Sequence, residues 1–111
     1  MGTFTHPITL HSKAGETSET VHAIVDKSRL FALFSRSLLE RLGAQPEESR
    51  DVPIGQIEAE LNGERATIVC AFGDDGEPAR IGRHTLDTFL LDVDPETGEL
   101  VPKTFRIIQH I

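Results

Sequence analysis

The sequence predicts a mainly β domain carrying two short helices, and three stretches point to it. "IGQIEAEL" and "ERATIVCAF" alternate apolar and polar residues about Asn62-Gly63, the strongest short hairpin signal. "TVHAIVD" reads as a further strand. "SRSLLERLG" and "IGRHTLDTFL" have helical spacing, each too brief to build a helical core.

Taken in order, "TFTHPITLH" (Thr3 to His11) has β-type residues with a proline that demotes it to an edge strand. "KAGETSE" is a polar turn leading into "TVHAIVD", where Ala23, Ile24 and Val25 read as buried on both faces. Ser35 or Ser37 caps the first helix, Leu38, Leu39 and Leu42 form its apolar stripe, and Gly43 stops it. "AQPEESRDVP" is a polar, proline-bounded loop.

In the hairpin, Ile57, Ala59 and Leu61 share one face, and Gln56, Glu58 and Glu60 the other. The return strand places Ala66, Ile68, Cys70 and Phe72 together. "GDDGEP" is a surface turn, and Gly82 precedes a short helix bearing Leu86, Phe89 and Leu90. "DVDPETGELVP" is strand, turn, strand, punctuated by Pro95 and Gly98. "TFRIIQHI" reads as a final strand.

The chain has 111 residues, enough for one domain with a modest core. Its formal net charge of -7 argues against sequence-blind binding to nucleic acid or anionic membranes, which needs a basic face. Neither a signal peptide nor an apolar run of transmembrane length is present. A single cysteine, Cys70, leaves no internal disulfide, so a cytoplasmic location is expected.

Among residues that carry chemistry, Asp26 stands out. It follows an apolar strand and is followed by Lys27, Ser28 and Arg29, so it is either a loop ion pair or the remnant of a chemical site. The five histidines lack metal-ligand spacing, and Cys70 lies on an apolar strand face with nothing nearby to lower its pKa. "GDDGEP" and "DVDPETGE" lack the ligand spacing of a calcium loop. One Gly before a helix, at Gly82, is weak evidence for an anion site. No cofactor or metal is expected.

An apolar strand ending in Asp26, a tight loop, "LF", "SRSLLERLG", then "IGRHTLDTF" and "LDVDPETGELVP" together resemble the small, single-domain bacterial retropepsin-like aspartic proteases. The resemblance runs from about Thr3 to Pro102. It implies one small closed β-barrel, acting as a homodimer in which each copy contributes one catalytic aspartate, here Asp26, at a two-fold axis. Two carboxylates that close cannot both ionise, so they share one proton; one activates water while the other donates to the scissile carbonyl.

Three departures from that family separate the chain from a working enzyme. The family follows its aspartate with Thr or Ser and then Gly, whereas this chain has Lys27 and Ser28. An ammonium about 4 Å from a carboxylate interacts by roughly 4 kcal/mol at an effective dielectric near 20. A Lys27 aimed at Asp26 would therefore favour a doubly ionised pair without its acid. The family's glycine-bearing flap hairpin is also expected to be missing, since only "AQPEESRDVP" lies between Gly43 and Ile54. The apolar-apolar-Gly motif behind the loop reads Arg80-Ile81-Gly82.

The expectation is a retropepsin-like homodimer with a decayed site, serving as a binding or structural module for a peptide or protein ligand. Alternatives are an active aspartic endopeptidase built on an Asp26/Asp26 dyad, and a monomeric β interaction domain using an exposed sheet edge. Phe4, Ile8, Phe105, Ile107 and Ile108, on terminal strands that would otherwise be bare edges, are the expected dimer interface.

Overall fold

Asn62 and Gly63 turn the chain with φ of 52° and 84°, the left-handed pair that a tight hairpin requires. They join β4 (Ile54–Leu61) to β5 (Glu64–Gly73) in an eight-pair antiparallel ladder running from Ile54↔Ala71 to Leu61↔Glu64. Ile57, Ala59 and Leu61 face inward beside Ile68 and Cys70, as their alternation requires, while Gln56 and Glu58 face solvent. The computed structural model describes residues 4–47 and 53–103.

The remaining elements close around this hairpin. They are β1 (Thr5–His11), β2 (Ser18–Val25), β3 (Ala32–Ser35), α1 (Arg36–Arg41), β6 (Arg80–Ile81), α2 (Arg83–Thr88), β7 (Leu91–Val93) and β8 (Leu100–Pro102). Six strands pair in the order β1-β2-β6-β3-β5-β4, and β4 pairs back to β1, so the ring of pairings closes. Strands β7 and β8 form a separate two-stranded ribbon across the expected turn. No helix among the described residues is long and apolar enough to cross a membrane.

Ser35 caps α1 by accepting the Leu38 amide, and Gly43 ends it at φ 84°. Leu38, Leu39 and Leu42 are buried against Phe34, Ile57 and their neighbours in one continuous core. Strand β3 is not separated from its flanking loop by any local sequence pattern. It pairs in parallel with β5 from Ala32↔Cys70 to Ser35↔Gly73, a connection that no local pattern announces.

Several expectations change. Residues Ala23 to Val25 do not form a strand buried on both faces: Ala23 is fully buried, while Ile24 and Val25 are partly exposed. The first strand is an edge only along Thr5–Ile8, where Pro7 lies, because Thr9, Leu10 and His11 pair with β4 as well as β2. Ile8, expected at a dimer interface, is 1% exposed inside its own core and has no surface left to give a second copy. Phe4 is exposed, and its ring lies against Gly98. Phe105, Ile107 and Ile108 lie outside the described residues, as does the expected last strand. The expected absence of a flap falls largely on residues 48–52, also outside them, although Glu47 and Ile54 on either side bridge directly.

Candidate functional site: the Asp26 loop

Strand β2 ends at Val25, and the chain then turns so that the Arg29 amide donates to the Asp26 carbonyl. This loop is stitched to the end of β6 and the start of α2. The Asp26 amide donates to the Ile81 carbonyl at 2.9 Å, the Arg83 amide to the Arg29 carbonyl at 2.9 Å, and the His84 amide to the Leu30 carbonyl at 2.8 Å. Orphan donors at the first turn of a helix are thus satisfied by the loop rather than by a capping side chain, since Gly82 has none to offer.

Gly82 permits that contact. A Cβ there would lie 2.7 Å from the Phe31 carbonyl oxygen and 2.9 Å from those of Arg29 and Leu30. Its φ of -100° is open to any residue, so space rather than backbone conformation demands the glycine.

Both oxygens of the Asp26 carboxylate are engaged within the chain. Oδ1 accepts the Ser28 amide at 3.0 Å and the Ser28 hydroxyl at 2.5 Å, and Oδ2 accepts from Arg80 Nη1 at 3.1 Å. The Ser28 hydroxyl, followed by its amide and the positive charges of Arg80 and Arg29, holds the Asp26 carboxyl below its ordinary value against an opposing desolvation effect. The Asp26 side chain is 24% exposed and that of Arg80 is 31% exposed, so the pair is more sheltered than a surface ion pair.

The structure corrects the source of the cation. Lys27 Nζ bonds to Oδ1 of Asp92 on β7 at 3.1 Å, in an exposed pair, and its ammonium forms no ion pair with Asp26. The cation on Asp26 is Arg80, fifty-four positions away along the chain. The one available sequence signal was its place at the head of the apolar-apolar-Gly motif, where a charged side chain is out of pattern. The fold brings Asp26, Ser28 and Arg80 into direct contact, with Arg29 close enough to act electrostatically, and leaves Lys27 outside. Arg29 Nε is buried without a hydrogen-bond partner.

Other candidates take ordinary roles. Cys70 is fully buried, and desolvation pushes its thiol up to about 12, which makes it a poor nucleophile. His11 pairs with Glu60 at 3.2 Å and His84 meets the Phe31 ring edge-on. Among the described residues no group of three or more His, Cys, Asp or Glu side chains could hold a metal. Asp75 of the acidic turn accepts the Ser37 amide and hydroxyl at the first turn of α1, a structural use of that carboxylate.

A pH dependence follows from the depressed Asp26 carboxyl. Its folded pKa lies below the ordinary 3.8, so its contribution to stability is complete above that value and is lost as pH falls through the lower, folded pKa. Asp26→Asn should remove part of the acid-induced loss of stability. Among the described residues Asp75, Asp87 and Asp92 are also depressed, Asp75 by Ser37, Asp87 by Lys103 and Asp92 chiefly by the Val93 amide, so they contribute to the same loss. At neutral pH the same substitution strands Arg80 and should cost about 1–3 kcal/mol. Urea unfolding of both proteins over a pH series measures both effects.

No protein-family model matches the chain, and no curated protein matches it. Among solved structures, it is similar to the retroviral protease-like domain of Ddi1 from Leishmania major. The identity is 14% and the TM-score 0.63, over 95% of this chain and 91% of that one. That likeness supports a retropepsin-like fold.

Proposed function

We propose that this chain is a retropepsin-like aspartic protease homologue that pairs with a second copy of itself, and that its peptidase chemistry is impaired, leaving a homodimeric binding or structural module. The observation that carries the reading is the engagement of both Asp26 oxygens by donors of its own chain, Ser28 on Oδ1 and Arg80 on Oδ2.

A dyad needs a proton shared between two carboxylates that cannot both be charged. Donors on both oxygens stabilise the charged form, and a guanidinium beside each acid offsets the repulsion that would force a proton between them. Two such acids could meet as two neutralised ion pairs, with no general acid available to the leaving amine. The retropepsin-like fold, together with Asp26 at the end of its strand and its loop stitched to α2, supports descent from a catalytic loop.

The dimer would use Phe4 and the terminal residues Phe105, Ile107 and Ile108. The ligand would be a peptide or protein, with nucleic acid and membranes disfavoured by the charge of the chain and a cytoplasmic setting expected.

Purified protein incubated with a mixed peptide substrate from acidic to neutral pH should show no cleavage, and should sediment as a dimer. Turnover abolished by Asp26→Asn would instead establish an active endopeptidase. A monomer at high concentration would remove the two-copy site and leave a β interaction domain. Deleting Phe105 to Ile111 should release monomer.

A further inference from the structure

Resting on that two-copy reading, we propose that Arg80 is the positioning residue that closes Asp26 to a second acid, by occupying the carboxylate oxygen that Ser28 leaves free. The fold holds it there. Strand β6 is two residues long, and Arg80 is paired on both sides, to Ile24 of β2 in parallel and to Leu33 of β3 antiparallel. Its backbone is therefore fixed. The Asp26 backbone is tied to the adjacent residue by the bond to the Ile81 carbonyl. Both ends of the ion pair thus sit on the same strand crossing, and only side-chain rotation can part them.

Charges facing Asp26 come from few places. Arg80 bonds it, Arg29 acts on it through space from its own loop, and Ser28 supplies two neutral donors. Lys27 is held by Asp92. An apolar side chain at Arg80, as the resembled motif carries there, would leave Oδ2 free and remove the bonded cation while keeping both strand pairings, which use backbone atoms only. Ser28 would go on holding Oδ1.

The inference is tested by carbon-detected titration of the Asp26 carboxyl in the full chain, assigned by its disappearance in D26N. In R80L the midpoint should move upward, while remaining below that of an unperturbed aspartate because Ser28 still donates. R80K should restore most of the lowering, since it returns the charge without the planar fork. R80L combined with S28A should move it further up than R80L alone.

An unchanged midpoint in R80L, with a native amide spectrum, overturns the assignment. Should R80L fail to fold, R80Q keeps a polar head on a shorter stem, loses the charge, and must still show an upward shift. The titration is read within a single chain, so it separates this inference from the two-copy reading. A raised midpoint in a protein that sediments as a monomer would show Arg80 holding the charge of Asp26 but would overturn its role against a second acid, since none would be present.

Discussion

Gly82→Ala is expected to destabilise the protein by about 3 kcal/mol, the upper end of the usual cost of forcing a carbon into a packed interior. The added Cβ would sit inside contact distance of three consecutive carbonyl oxygens, of Arg29, Leu30 and Phe31. All three are backbone atoms, so no flexible side-chain tip can swing aside. Two of them, on Arg29 and Leu30, also receive the first amides of α2, so relief by moving the loop breaks those bonds. The displaced loop carries Asp26 away from the Ile81 carbonyl and from Arg80, so the Asp26 midpoint should rise along with the loss of stability. Gly76→Ala, where an added Cβ meets nothing within 4 Å, is the matched control and should be close to neutral. Urea midpoints for the two variants decide the matter; equal midpoints would show that the loop is not packed on α2 as described.

Phe34→Ala should cost about 3–5 kcal/mol, the range for truncating a buried aromatic. Among the described residues Phe34 is the largest fully buried side chain, on β3 between the two strands that flank it, with Phe72 as its parallel partner on β5. Deleting the ring leaves a void in a core that domains of this size stabilise by only about 5–15 kcal/mol in total. The variant should therefore unfold at much lower urea and lie close to the threshold for folding at 37 °C. Leu30→Ala, half-exposed at the tip of the Asp26 loop, should stay within about 0.5 kcal/mol of the parent. A Phe34→Ala protein as stable as the parent would mean that β3 is not the centre of the core.

Local patterns carried much of the fold. Alternation located β4 and β5, Asn62-Gly63 placed their turn, Ser35 and Gly43 bounded α1, and Pro95 with Gly98 marked the turn between β7 and β8. Each of these is a short-range preference of backbone or side chain, so each is visible within ten or so residues. The burial of Ile8 is hidden from local pattern for a related reason. An apolar residue near a terminus looks the same in sequence whether it faces its own core or a partner, and the choice is made by β4 closing over the far half of β1.

The candidate site divides along the same line. Asp26 is legible as an acid at the end of an apolar strand, and Ser28 is close enough in sequence to be named with it. Lys27 was the natural choice of counter-charge because it is the next residue. The chain turns at Lys27 and Ser28, however, and the Lys27 side chain reaches Asp92 instead. The effective cation comes from Arg80, brought in by a parallel pairing of β2 with β6 across more than fifty residues. Sequence alone determined that a strand-end acid, a strong hairpin and two short helices belong to a mainly β chain, because those are local energies summed over neighbouring residues. Which cation that acid meets, and which apolar faces are spent inside, were decided only by tertiary structure, because long-range strand pairing sets both.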